Sequence, residues 1–254
     1  MNILVANDDG INARGIKELV DALSAEADVY VCAPESQRSA SGHGITVSKP
    51  VIAEEVPFEN AKLAISLSGT PADCVKLGLK MLEERGIEID MVFSGINQGS
   101  NLGTDTLYSG TVSAALEGSI CGKPSVAVSV DKHEAEYFEY ACILAVKALK
   151  AAYGKLSSDI VLNINTPNLP ADQIKGVRYT TLGSREYKEF FTPVEIEDGK
   201  KAYRYSGDPV IYEGLPETID VMAMQNGYAS ITPLHRDLTA YGMVEEIKTW
   251  GIDE

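Results

Sequence analysis

Between residues 3 and 164 short apolar runs alternate with stretches of helical spacing, and this alternation constrains the fold more than any other feature of the chain. The apolar runs are Ile3–Ala6, Val29–Ala33, Leu63–Leu67, Met91–Phe93, Ser125–Val130 and Ile160–Ile164, with Ile45–Val51 read as a further strand. Between them Ile16, Leu19, Val20 and Leu23 recur at helical spacing, and Pro71–Leu82, Val112–Ile120 and Ala135–Ala152 keep the same period. Strands separated by helices predict an α/β fold, a mainly parallel sheet with helices on both faces. In such sheets ligands bind beyond the carboxyl ends of the strands, so the post-strand loops are where chemistry is sought.

The pattern changes after about Lys175. Seven of the 12 tyrosines lie beyond that point, with the Phe190-Phe191 pair and short β-type segments such as Lys201–Tyr205. Helical spacing returns only at Val244–Trp250. This predicts a core over residues 1–174 and, over 175–254, an antiparallel hairpin-rich extension that ends in a helix. Exposed aromatics in such an extension mark an oligomer interface or pack between ordinary strands, and both readings stand.

Charge narrows the partners. The chain has 254 residues with 22 Lys and Arg against 37 Asp and Glu, a net charge of −15. A field of that sign repels nucleic acid and anionic membrane surfaces alike. It admits a small phosphorylated substrate only where a metal ion or local basic groups reverse the field. Met1–Asp9 has no basic leader segment, and no apolar run reaches the ~20 residues that span a bilayer. Cys32, Cys74, Cys121 and Cys142 form no CxxC pair and read as reduced, buried thiols. The expectation is a cytoplasmic protein with neither nucleic acid nor membrane as partner.

Four loops can carry chemistry. Asn7-Asp8-Asp9-Gly10 follows the first strand, and two adjacent carboxylates repel unless a cation lies between them. Hard oxygen ligands favour Mg²⁺, Mn²⁺ or Ca²⁺, while the plainer reading is a helix cap with Gly10 turning the chain. Ser36–Gly44, with Arg38, Ser39 and His43, can wrap an anion or be a solvated loop. Ser94–Asp105 spaces three glycines four apart among Asn97, Asn101 and serines, and is neither a GxGxxG nor a Walker loop. Ser109, Gly110 and Thr111 open a small-residue helix whose N-terminus suits a phosphate or is capped for structure alone. By contrast, Thr70, Pro71 and Asp73 resemble a capping box with Pro at the first helical position, a structural device. No GxSxG elbow is present. Together the four loops describe a hard-metal site beside a phosphate site, the equipment of metal-assisted phosphoester hydrolysis.

These segments resemble the signature of the SurE family, the stationary-phase survival proteins that act as nucleotide phosphatases. The matching blocks are Ile3–Gly10, Ala33–Glu35 with Arg38–Gly42, Ser68–Val75, Ser94–Asn101, Tyr108–Ala115 and Ile231–Thr239, in order along the chain. The resemblance implies a Rossmann-like core and one divalent cation per subunit, Mg²⁺ or Mn²⁺, held by Asp8, Asp9, Ser39 and Asn97. It implies a homodimer with exchanged C-terminal elements, and in some members a tetramer built through a protruding β-hairpin. The implied activity is hydrolysis of nucleoside 5′- and 3′-monophosphates, with short polyphosphate as a further substrate.

On that reading Asp8, Asp9 and Asn97 form the catalytic centre for single-step attack of a metal-activated water. Ser109, Gly110, Thr111 and Asn101 hold the phosphate, with Ser39 and Arg38 beside it. His43 and His235 are candidates for assisting the leaving group, and spacing identifies a partner for neither. Two rivals stand against this. A phosphatase with Asp8 as covalent nucleophile wants a second acid two residues on, where this chain has Gly10. A non-catalytic nucleotide or phosphate sensor on the same sheet binds without turnover.

Overall fold

The computed structural model describes residues 1–252 except 189–190, 197–199, 206 and 208, so Phe190 lies outside the described residues. The first half of the chain runs β1 (Asn2–Ala6), α1 (Arg14–Ser24), β2 (Asp28–Pro34), β3 (Ala53–Glu55), β4 (Leu63–Leu67), α2 (Pro71–Glu83) and β5 (Met91–Gln98). It continues through α3 (Gly110–Ile120), β6 (Ser125–Val130), α4 (Glu139–Ala152) and β7 (Ile160–Thr166). Beyond these lie β8 (Val177–Tyr179), β9 (Phe191–Val194), β10 (Ala202–Tyr205), α5 (Asp220–Gln225), β11 (Ala229–His235) and α6 (Tyr241–Ile247).

Among the described residues nine strands form one sheet in the order β3-β4-β2-β1-β5-β6-β7-β11-β8. From β4 to β7 every pairing is parallel. β3 and β11 pair antiparallel at the two flanks, and β8 runs parallel to β11. The six parallel strands follow the doubly wound order, in which the winding reverses between β1 and β5. β8 and β11, both from beyond residue 174, thus belong to this sheet, while β9 and β10 form a separate antiparallel hairpin.

Two apolar layers cover the sheet. Ile3, Val5 and Phe93 face Ile16, Leu19 and Leu23 of α1 and Leu144 and Leu149 of α4. Leu4, Ala6 and Val92 face Cys74, Val75 and Leu82 of α2 and Ala114 of α3. Central strands buried on both faces read as unbroken apolar runs, which is why the first strands were legible. α2 starts at a full capping box: Thr70 accepts from the Asp73 N–H and Asp73 accepts from the Thr70 N–H, with Pro71 in the first turn. All four cysteines are free, yet only Cys32 and Cys74 are buried; Cys121 and Cys142 are half-buried. No helix among the described residues is long and apolar enough to cross a membrane.

Three expectations are corrected. Residues 45–51 form no strand, since the Thr46 N–H turns to the Asp73 carboxylate at 3.1 Å and Val47 is 90% exposed. β-Branched composition without a neighbouring edge does not make a strand. α4 starts at Glu139 rather than Ala135, because the Ala135 N–H goes to Gln98 Oε1 and the next two to Asn168 Oδ1. α5 is an unforeseen helix; six residues are too few for a period to emerge from the sequence.

Candidate active site

The reversal between β1 and β5 leaves a crevice at the carboxyl edge of the sheet, where the loops after β1, β2 and β5 meet the N-terminus of α3. Asn7 stabilises the loop after β1. Its Nδ2 donates to the Gly10 carbonyl at 2.9 Å and its Oδ1 accepts the Gly10 N–H at 3.2 Å. This turn places Asp8 and Asp9 at the strand end.

Asp8 is 4% exposed and accepts a short hydrogen bond from the Thr111 hydroxyl. Burial pushes its carboxyl up to about 6, against the Thr111 hydrogen bond and with the Asp9 charge adding to the rise. Asp9 is less buried, and burial raises its carboxyl too, against hydrogen bonds from the Gln98 N–H at 3.2 Å and Gln37 Nε2 at 3.3 Å. Two adjacent carboxyls held above the usual carboxylate range are the electrostatic signature of a site that favours a cation.

α3 approaches Asp8 closely because residue 110 is glycine. A Cβ there would lie 2.6 Å from Asp8 Cβ and 2.9 Å from Asp8 Oδ2. Ser109 caps the helix, its Oγ accepting the Val112 N–H at 3.0 Å. The Ser109–Thr111 segment thus lies directly beside the carboxylate pair, with the Thr111 hydroxyl engaged by Asp8.

The loop after β2 closes one side. Arg38 donates its backbone N–H to the Asp8 carbonyl at 2.7 Å, which brings Ser39 to the crevice. Gln37 Nε2 bridges Asp9 Oδ1 and Ser39 Oγ, the latter at 2.9 Å. The Arg38 guanidinium donates to the Ser68 carbonyl at 3.3 Å and lies 3.6 Å from Glu35, with Nε buried and unpartnered. His43 is tied elsewhere. Its Nε2 lies 2.8 Å from Glu117 Oε2, and Lys76 reaches the other oxygen at 2.6 Å. Burial pushes the Glu117 carboxyl up, but its bonds to His43 and Lys76 outweigh that and leave it below the usual range.

The loop after β5 closes the other side. Asn97 Nδ2 donates to the Gly99 carbonyl at 2.7 Å, so its oxygen is the end available to a ligand. Asn101 is 6% exposed, and its Nδ2 donates to Ser129 Oγ at 2.9 Å. The loop is anchored further on by buried Asp220 of α5, which accepts the Gly103 N–H at 2.7 Å and the Gly183 N–H at 2.8 Å. His133 packs on this loop, since a Cβ on Gly99 would stand 3.4 Å from its Cε1. Gln37, Gln98, His133 and Asp220 were not foreseen; they act through neighbours distant in sequence. His235 closes β11 opposite Ile160, the first residue of β7, and therefore lies at the other edge of the sheet.

The donor set suits a hard cation. Asp8, Asp9, Ser39 and Asn97 offer only oxygen, and no group of three His, Cys, Asp or Glu side chains able to hold a metal exists among the described residues. Two carboxylates and two neutral oxygens could hold a hard divalent cation rather than a thiolate- or imidazole-seeking ion.

Comparison with known proteins identifies the family of the chain. The family profile for "Survival protein SurE" matches residues 3–189. A protein of Carboxydothermus hydrogenoformans named 5'-nucleotidase SurE is 44% identical, the match covering 98% of this chain and 96% of that one. A second of that name, from Petrotoga mobilis, is 41% identical over 98% of this chain and 99% of its own. The crystal structure of the SurE protein from Aquifex aeolicus superposes with a TM-score of 0.85 at 38% identity, covering 98% and 99% of the two chains. With sequence and architecture matched over nearly the whole length, this chain belongs to the SurE family.

Proposed function

We propose that this protein is a 5′-nucleotidase that hydrolyses nucleoside monophosphates to nucleoside and phosphate at the Asp8–Asp9 crevice. The observation that carries the reading is the adjacent carboxylate pair whose first member, Asp8, is buried against the N-terminus of a helix. That helix end offers N–H groups and a positive dipole to an anion, beside a place that calls for a cation. A divalent cation held by Asp8, Asp9, Ser39 and Asn97 would lower the pKa of a water and neutralise phosphate charge. Asp8 and Asp9 orient the attacking water, and one of them takes its proton. Ser109, Gly110 and Thr111 receive the phosphate at the start of α3, with Asn101 and Arg38 on its flanks. Asn97 contributes its carboxamide oxygen and Ser39 its hydroxyl. 3′-Monophosphates and short polyphosphate are further substrates of the same centre, because the residues named here address the metal and the phosphate group that these substrates share.

The test is phosphate release from a panel of nucleoside 5′-, 3′- and 2′-monophosphates and tripolyphosphate. Turnover of 5′-monophosphates supports the reading. Nucleotide binding without phosphate release would leave a sensor instead.

The assembly is a homodimer in this reading. α6 has no buried residue, and Tyr241, Val244, Ile247 and Trp250 are exposed, as are Phe191, Tyr203 and Tyr205 on the hairpin. Surfaces of this kind fit a second copy of the chain at α6 and a tetramer contact at the hairpin. Light scattering on the full chain and on one ending at Thr239 tests it, with a shift from dimer to monomer expected.

A further inference from the structure

On the face of β7 that packs against α3, Val161 is followed at alternate positions by Asn163 and Asn165, both fully buried. The opposite face carries Leu162 and Ile164. Primary amides on the inner face of a central strand are costly unless their polar atoms find partners. Here both converge on the backbone of one residue, while Asn163 Oδ1 stays buried without a partner. Asn165 Oδ1 accepts the Asn101 N–H at 2.7 Å, while Asn163 Nδ2 and Asn165 Nδ2 donate to the Asn101 carbonyl at 2.8 and 3.2 Å. Asn165 thus pairs with both backbone groups of Asn101, as a residue of a neighbouring antiparallel strand would. Ser129, level with Asn165 on the adjacent β6, takes the Asn101 side chain.

We propose that Asn163 and Asn165 are positioning residues for phosphate binding, fixing Asn101 and the turn from Asn97 beside the start of α3. The inference rests on the reading of Asn101 as a phosphate neighbour. A leucine at either β7 position fills similar space but leaves the Asn101 backbone short of these partners, so stability and ligand binding are read separately in the test. What the amides add is a fixed position for a loop residue, and displacement of a binding group by about 1 Å is enough to cost a large factor in rate or affinity.

The test compares wild type with Asn163→Leu, Asn165→Leu, Ser129→Ala and Asn101→Ala. For each, kcat and KM for a nucleoside 5′-monophosphate, the competitive Ki of inorganic phosphate, and the thermal transition are measured. The β7 variants are expected to raise Ki and KM about tenfold, with a smaller fall in kcat and a cooperative transition retained. Ser129→Ala leaves the β7 amides in place and gives a smaller rise, which keeps the proposal open to refutation should the leucine variants fail to fold. Wild-type Ki in Ser129→Ala and in whichever β7 variants fold would overturn it. Asn101→Ala separates the two levels. A raised Ki there beside wild-type values in the other variants removes the positioning role alone, whereas a wild-type Ki in Asn101→Ala removes its premise and the proposal with it.

Discussion

Thr111, the second residue of α3, donates its hydroxyl to the Asp8 carboxylate at the end of β1, 103 positions away in sequence. This bond ties the start of α3, the proposed phosphate seat, to the proposed metal end of the crevice, and three of the predictions below concern how that junction is kept.

Asp8 makes the metal-free protein more stable in mild acid. Its folded carboxyl is raised from 3.8 to about 6, so the folded state holds a proton more tightly than the unfolded chain. The associated stability is present below the unfolded value and lost as pH rises through the folded one. The loss is about 3 kcal/mol once both states are ionised. Thermal melts in EDTA should therefore fall from pH 5 to pH 7.5, and added Mg²⁺ or Mn²⁺ should raise the melting temperature more at pH 7.5 than at pH 5.

Thr111→Val removes the hydrogen bond that holds the Asp8 carboxyl down, so that carboxyl should titrate at higher pH still. Loss of a buried hydrogen bond to a charged group costs about 1.5–3 kcal/mol. The acid limb of kcat/KM should move to higher pH relative to wild type, and a profile that overlays the wild type would contradict the role given to this bond.

Gly110→Ala places a methyl group 2.6 Å from Asp8 Cβ, a distance that packed carbons do not tolerate. Either α3 or the Asp8 side chain must shift. Phosphate release should fall about tenfold or more, with a near-wild-type circular dichroism spectrum, because the clash is local to the crevice.

Asp220→Ala strands three backbone donors, from Gly103, Gly183 and Val221, which the buried carboxylate now accepts. Each donor left buried without a partner costs about 1–3 kcal/mol, measured together as a lower urea midpoint. Since Gly103 adjoins the loop of Asn101, KM for the nucleotide should rise as well. An unchanged midpoint would mean that the segments hold one another without it.

What the sequence disclosed and what it hid follow from the range of the interactions. Asp8-Asp9, Thr70–Asp73 and Ser109–Thr111 were legible because strand end, capping box and helix start are written within a few residues. The central strands were legible because burial on both faces leaves an apolar run. Asn163 and Asn165 were not, since their partner Asn101 lies 62 and 64 residues away. Asp220 escaped for the same reason, its Gly103 partner being 117 residues distant. His133 sits in an aperiodic loop after β6 and meets Gly99 only through the fold. The strand misread at residues 45–51 failed in the reverse sense, a local preference with no neighbouring edge to satisfy it.

The most direct measurement is phosphate release from a nucleoside 5′-monophosphate by the chelated and the metal-restored protein, alongside Asp8→Asn and Asn97→Ala. Release that stops with EDTA, returns with Mg²⁺ or Mn²⁺, and is abolished in both folded variants is the expected result. Release that persists under chelation, or survives in Asp8→Asn, would contradict the assignment of chemistry to this crevice.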